Sequence, residues 1–297
     1  MRKAILILAF LISTANISAS TVQLKQTETV TGLTVELYYR ALQPGEVIQV
    51  LLKESSSVRE ATARFLGKKY TFFKMKNSTE YLALIGLDLG VSPGAYPLNI
   101  SILYSDNSHE SLAQIINVVS KEFPVKKLWV EEKFVTPPKE VQERIQRESK
   151  ILQTIYDIYT PMWLGEGPFI VPSEGKIMSN FGEQRFFNNK PRSSHGGVDI
   201  STPSGSPVKA SNSGRVLLAA DLYFAGKTVI IDHGLGVHTM YCHFSKILVK
   251  RGEFLKKGKI IGEIGATGRV TGPHLHWGVK LYGSRVDPLS LLNLKFK

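Results

Sequence analysis

Gly272-Pro273-His274-Leu275-His276-Trp277-Gly278 is the stretch from which the rest of the chain is read. Glycine and proline at its ends disfavour a helix, so it predicts a strand. In an extended chain residues i and i+2 share a face. His274 and His276 then point one way, and Leu275 and Trp277 the other. Two further stretches carry the same signature: Ser194-His195-Gly196-Gly197-Val198-Asp199-Ile200 and Met240-Tyr241-Cys242-His243-Phe244-Ser245. In the first, His195 and Asp199 share a face, with Gly197 leaving room between them. In the second, Tyr241 and His243 share a face, and Cys242 points away.

If the three faces converge, they bring four imidazoles and one carboxylate together. Zinc takes imidazole nitrogen and carboxylate oxygen, and a catalytic zinc keeps three protein ligands and an open position. His195, Asp199 and His276 fill that count. His243 and His274 remain to handle protons. A structural zinc would call on cysteines, and the chain has only Cys242, which is expected to be buried. HxxxD and HxH are each weak signals; together, on separate glycine-flanked strands, they are strong. Asp232-His233-Gly234 is read as a turn, and His238 as structural or peripheral. The spacing of Gly262, Gly265, Gly268 and Gly272 does not make a phosphate loop and is read as β-turns.

Around these motifs, residues 169–297 predict an all-β domain. Its strands are expected near 207–219, 227–233, 237–243, 259–264 and 274–282, joined by glycine turns. Upstream, Val141, Ile145, Ile151, Leu152, Ile155 and Ile158 recur at helical spacing. They predict one amphipathic helix at about 139–159, capped by Thr136, within a linker of 123–168. Residues 21–122 predict an immunoglobulin-like β-sandwich. Its strands include Val47–Leu52, Tyr81–Ile85 and Tyr96–Ile102, punctuated by turns such as Gln43-Pro44-Gly45. His109-Glu110 resembles the start of HExxH, but position 113 is alanine, so His109 is read as a surface loop residue.

The N-terminus reads as an export signal over residues 1–20: Met1-Arg2-Lys3, an apolar run at 4–12, then small and polar residues. The expected location is therefore the periplasm or cell wall. The apolar run is too short to cross a bilayer, so no transmembrane span is expected in the mature chain, and no cysteine near the cut could carry a lipid. The net charge is +12, and it is unevenly spread. Residues 21–122 carry ten basic and ten acidic side chains, and residues 123–297 carry 25 and 15. A basic exported domain favours an anionic polymer such as the cell wall. No nucleic-acid-binding pattern is present.

Across residues 176–290 the chain resembles the lysostaphin-type, or LytM-like, zinc endopeptidases. The resemblance rests on Ser179-Asn180-Phe181-Gly182, His195-Gly196-Gly197-Val198-Asp199, Gly205-Ser206-Pro207-Val208-Lys209-Ala210 and Gly214-Arg215-Val216. It continues through Tyr241-Cys242-His243-Phe244-Ser245 and Gly265-Ala266-Thr267-Gly268 to Gly272-Pro273-His274-Leu275-His276-Trp277. It implies an antiparallel β-fold with a groove and one Zn2+ per chain, ligated by His195, Asp199 and His276. It also implies that His243 and His274 act on the water and the oxyanion, and that the substrate is peptidoglycan. Phe244 replaces the usual leucine. No tyrosine precedes the first histidine, and Arg185 or Arg192 could substitute. The alternatives are a non-catalytic wall-binding or amidase-activating protein, or a peptidase autoinhibited by its N-terminal region. A regulatory protein docking on the N-terminal domain is a further expectation.

Overall fold

The computed structural model describes residues 23–28, 33–53, 58–76, 78–178, 180–292 and 294; the export signal expected at 1–20 lies outside them. Among the described residues no helix is long and apolar enough to cross a membrane.

The N-terminal part is built from two antiparallel sheets. One is five-stranded, with Thr34–Tyr39, Val47–Lys53 and Tyr81–Gly86 as adjacent central strands; the other is four-stranded and includes Val58–Phe65, Gly94–Tyr104 and His109–Val118. Alternate residues such as Ile48, Val50 and Leu52 face the second sheet, where Ala61, Leu98 and Ile100 close a common core. His109 opens a strand rather than lying in a loop, and it is exposed. The strand extends further because its ladder with Gly94–Tyr104 starts at Leu103 opposite His109.

The other face of the five-stranded sheet is buried too. Tyr38, Val47, Leu51, Leu82 and Leu84 share a second core with Phe169, Val237, Val279, Leu281, Val286 and Leu291 from the C-terminal half. Polar contacts flank that seam. Arg40 Nη2 donates to Glu46 and to Asp287, each at 2.7 Å, and Arg285 Nη2 donates to Asp88 at 3.0 Å.

The linker contains a short 3-10 helix, Glu132–Phe134, and one α-helix, Lys139–Tyr156, shorter than expected at its C-terminal end. Its N-cap is Pro138, with no side-chain cap bond. Thr136 is two residues upstream of that position and instead donates its hydroxyl to Glu132 at 2.8 Å. Ile155 is buried, but Ile151 is 40% and Ile158 37% exposed. Polar contacts dock the helix: Arg144 donates to the Asp221 carbonyl at 3.0 Å, and Glu148 accepts from the Tyr223 amide at 2.8 Å. The linker also supplies a strand that sequence periodicity did not reveal. Val125–Leu128 pairs in parallel with Gln184–Phe187, which in turn forms a hairpin with Lys190–Ser194.

The C-terminal half is a ten-stranded antiparallel sheet. Gly197–Ser201, Leu275–Leu281, Val237–Ile247, Gly226–Asp232 and Gly214–Leu222 follow one another across it. The strand expected at 207–219 is two strands, Pro207–Lys209 and Gly214–Leu222. Between them the chain leaves the sheet so that Ser211 can bond the Tyr241 hydroxyl through both its amide and its side chain.

Candidate metal centre and catalytic groove

Register builds the site. Asp199 lies opposite His276 on the next strand, and His276 lies opposite Cys242 on the strand after that. Residues opposite one another in an antiparallel ladder share a face. Val198, Trp277 and Tyr241, in register one residue away, are all fully buried on the other face. Core packing thus aims the polar row the opposite way. Gly197 makes the approach possible, because a Cβ there would strike the Trp277 carbonyl oxygen and the His276 ring.

One expectation fails here. Tyr241 and His243 do not share a face, and Cys242 does not point away. The ladder with Gly226–Asp232 slips between Lys227 and Val229, and His243 adopts φ of 69°. An extra residue of this kind is a β-bulge, which re-aims a side chain. Tyr241 therefore stays in the core, Phe244 returns to it, and His243 turns onto the same side as Cys242. The bulge is held from outside by Gly226 (φ 62°), which packs so closely on Thr267 that no Cβ would fit.

Three donor atoms converge. His195 Nε2 is 2.7 Å from His276 Nδ1, and Asp199 Oδ1 is 3.1 Å from the first and 3.2 Å from the second. Ligands at about 2.0–2.2 Å around a tetrahedral ion stand roughly 3.3 Å apart, so the donor set fits one small divalent cation. Backbone carbonyls fix which nitrogen is free to bind. His195 Nδ1 is 3.0 Å from the Asn180 carbonyl, which can only accept, so its proton sits there and Nε2 keeps a lone pair. The same device holds His243 Nδ1 at 2.8 Å from the Thr267 carbonyl and His274 Nδ1 at 2.8 Å from the Gly272 carbonyl. The His243 and His274 rings are 4.9 Å apart, and His274 Nε2 is 3.7 Å from Asp199 Oδ1.

The carboxylate is divided in its duties. Asp199 Oδ1 faces the imidazoles, while Oδ2 accepts from Asn180 Nδ2 at 2.9 Å and Arg185 Nη2 at 2.7 Å. Arg185 also pairs with Glu183 at 2.9 Å. It therefore positions Asp199, a role that sequence reasoning did not assign to it; the Arg192 side chain lies outside the described residues.

Burial would raise the Asp199 carboxyl, but hydrogen bonds and charge from His195 and His276 outweigh it and hold the group far below the ordinary range. Burial, reinforced by the neighbouring imidazoles, lowers His243 to about 3. Burial also lowers His276 to about 4, against the opposing pull of Asp199. Both rings are thus neutral near pH 7, with lone pairs available. Burial pushes the Cys242 thiol up to about 12, which removes it as a thiolate nucleophile. His233 and His238 stand apart from this cluster. His233 is buried between the Ser213 carbonyl and the Thr239 hydroxyl, and His238 lies 3.9 Å from Asp232.

Two adjoining cavities, of about 200 and 250 Å³, open on the cluster and share Arg185, Phe187, His243 and Arg269 in their walls. The linker strand adds Lys126 and Leu128 to the second, and Val130, just beyond the strand, lines it too.

Comparison with known proteins agrees with this geometry. Residues 193–288 match Peptidase family M23. Peptidoglycan DD-endopeptidase ShyA of Vibrio cholerae is 42% identical over 120 residues, which cover 40% of this chain and 28% of that protein. DD-carboxypeptidase/endopeptidase Mpg of Neisseria gonorrhoeae is 39% identical over 97 residues, covering 33% and 22%. The chain thus spans about a quarter of the length of these curated relatives. A crystal structure from Pseudomonas aeruginosa described as a peptidase M23 matches far more widely. It is 31% identical, with a TM-score of 0.64, over 84% of this chain and 94% of that one. With the family's segment spanning the site and a relative matched over nearly its whole length, this chain belongs to peptidase family M23.

Proposed function

We propose that the protein is a zinc-dependent endopeptidase that hydrolyses peptide bonds in peptidoglycan stems or cross-links, exported to the periplasm or cell wall. The observation that carries this reading is the meeting of His195 Nε2, Asp199 Oδ1 and His276 Nδ1 within 3.2 Å of one another. Two further imidazoles lie beside that cluster. One zinc ion per chain suits this donor set. When bound it supplies a Lewis acid that polarises the scissile carbonyl and acidifies a water.

The chain's own residues do the rest. His243 and His274, each with its Nδ1 proton tied to a carbonyl, present Nε2 to the reacting atoms. One takes a proton from the attacking water through its Nε2 lone pair; the other, in its doubly protonated form, donates its Nε2–H to the developing oxyanion. Asn180 and Arg185 hold Oδ2 of Asp199, which leaves Oδ1 for the metal. The basic excess in residues 123–297 favours an anionic wall polymer.

Retention of all five side chains argues against a purely wall-binding or amidase-activating role. Autoinhibition is the second reading, favoured by the linker residues Lys126, Leu128 and Val130 in the cavity wall. The test is muropeptide release from defined peptidoglycan by the full-length protein, followed by mass spectrometry, with and without a chelator. Cleavage that stops on chelation and returns with zinc supports the proposal. Cleavage by metal-free protein sinks it. Zinc-loaded protein that becomes active only after proteolysis in the linker favours autoinhibition.

A further inference from the structure

We propose that the cavity between the Lys139–Tyr156 helix and the Leu275–Leu281 strand is a substrate subsite, in which Lys280 receives a carboxylate on one arm of the peptide. The proposal rests on the peptidase reading above for the kind of substrate, a wall peptide whose arms carry free carboxylates.

This cavity, of about 520 Å³, shares Gly196, Met240 and His276 with the smaller of the two cavities that open on the metal cluster. It shares no described lining residue with the larger one, on the Lys126 side. The three therefore form a chain, with the cluster in the middle and a cavity for each arm of a peptide cut there. His276, Gly278 and Lys280 are alternate residues of one strand and share a face, because Trp277, Val279 and Leu281 are buried on the other. The Lys280 Cα thus stands about 13 Å from that of His276, a span that four residues of extended peptide cover.

The floor is bare where that arm would lie. Gly196 and Gly278 line it, and neither adopts a left-handed φ. A Cβ at Gly196 would meet nothing closer than Arg285 Cδ at 3.9 Å, and one at Gly278 nothing closer than His276 Nε2 at 3.4 Å, which is ordinary contact. Unlike Gly197, then, these two positions need glycine neither for backbone conformation nor for internal packing. Glycine weakens a strand interior and marks a place where a ligand or another backbone approaches closely.

The wall supplies a cation. Among the described residues Lys280 Nζ makes no hydrogen bond or ion pair; it lies 4.0 Å from the centroid of the Tyr156 ring, which is itself fixed by its hydroxyl donating to Met240 Sδ at 3.2 Å. The ring covers one side of the ammonium and leaves N–H donors for a ligand. Burial, with Arg285 adding to it, holds Lys280 below the ordinary lysine range against the pull of Asp88 and Asp157. Arg285, the other cation in the lining, is paired with Asp88 at 3.0 Å. Asp157, exposed at the C-cap of the helix, is the one acid among the described lining residues. A carboxylate entering this cavity thus meets Lys280 as its cation and Asp157 as a competing acid.

The test uses zinc-loaded full-length protein and capped linear peptide mimics with a non-hydrolysable scissile bond. Each carries one carboxylate, or the matching carboxamide, about three or four residues from that bond on the amino-side or the carboxyl-side arm. Calorimetry should show wild type binding the carboxylate about tenfold more tightly than the carboxamide on one of the two arms, as for a hydrogen bond to a charged group. Lys280→Gln should abolish that preference, Lys280→Arg should keep most of it, and Asp157→Asn should enlarge it. Gly278→Ala, whose Cβ the protein itself can accommodate, should keep its zinc yet weaken every mimic about tenfold. On cleavable versions the Lys280→Gln loss should fall on KM rather than kcat. Absence of preference on both arms in wild type overturns the proposal, and so does an undiminished preference in Lys280→Gln or an unchanged affinity in Gly278→Ala. The wild-type comparison needs no variant, so misfolding of a mutant cannot rescue the idea. Preference without cleavage would support the subsite and sink the peptidase reading; cleavage without preference would do the reverse.

Discussion

The Val47–Lys53 strand of the N-terminal sandwich and the Val237–Ile247 strand of the C-terminal sheet are both central, antiparallel and mostly buried. The first keeps strict alternation. Ile48, Val50 and Leu52 serve one core, and Val47 and Leu51 the other. The second breaks alternation at His243, where one residue in a left-handed conformation puts Cys242 and His243 on the same side. Regular alternation yields packing, and its local failure brings an imidazole into the candidate site. The comparison also separates two kinds of damage, one to chemistry and one to stability.

The largest effect should come from the C-terminal sheet. His276→Ala should abolish zinc binding and reduce peptidoglycan cleavage to background, as read by elemental analysis and muropeptide profiling. His274→Ala should keep the metal yet lose about a hundredfold or more in rate. If His274→Ala loses the metal as well, the division between ligands and proton carriers is wrong.

The sandwich should respond in the opposite manner. Leu52 is fully buried in its core. Leu52→Ala should cost about 2–5 kcal/mol in denaturant unfolding, while the protein that remains folded keeps its zinc content and kcat. A drop in zinc stoichiometry would show that the two regions are not independent in this sense.

A smaller effect sharpens the contrast within the C-terminal half, between buried histidines at the candidate metal centre and those that only pack. Burial lowers His233 from 6.5 to about 4, with Asp232 and His238 as its charged neighbours. The unfolded chain takes up a proton below about pH 6.5, and the folded one resists until about pH 4. Stability from this group is therefore complete above pH 6.5, falls as the pH drops toward 4, and loses on the order of 3 kcal/mol. His233→Gln should flatten that limb in unfolding experiments at pH 7.5 and 5. An unchanged slope would assign the acid sensitivity to other groups.

Much of the site was legible because its residues sit in short extended segments, where period-two reading works. His195, Asp199, His274 and His276 came from that rule and from glycine placement. His243 came from its motif, but its orientation did not. A bulge depends on how two ladders slip past one another, and no local pattern in Tyr241-Cys242-His243 announces it. The linker strand was hidden for a different reason. Val125-Lys126-Lys127-Leu128 is short and half charged, and pairing with Gln184–Phe187 holds it extended. The second core did leave a trace. Val47–Leu52 and Tyr81–Ile85 are nearly continuous apolar runs, which implies cover on both faces rather than one.

That doubly covered sheet has a mechanical consequence. Two modules joined by a bare tether can swing, and a swinging blade samples every distance from its mount. Here Leu51, Leu82 and Leu84 interlock with Val237, Val279 and Leu281, and the strands carrying Val237 and Val279 also carry His243 and His276. The candidate metal centre therefore stands at a set span from the far sheet of the N-terminal half, and the molecule is built like a gauge.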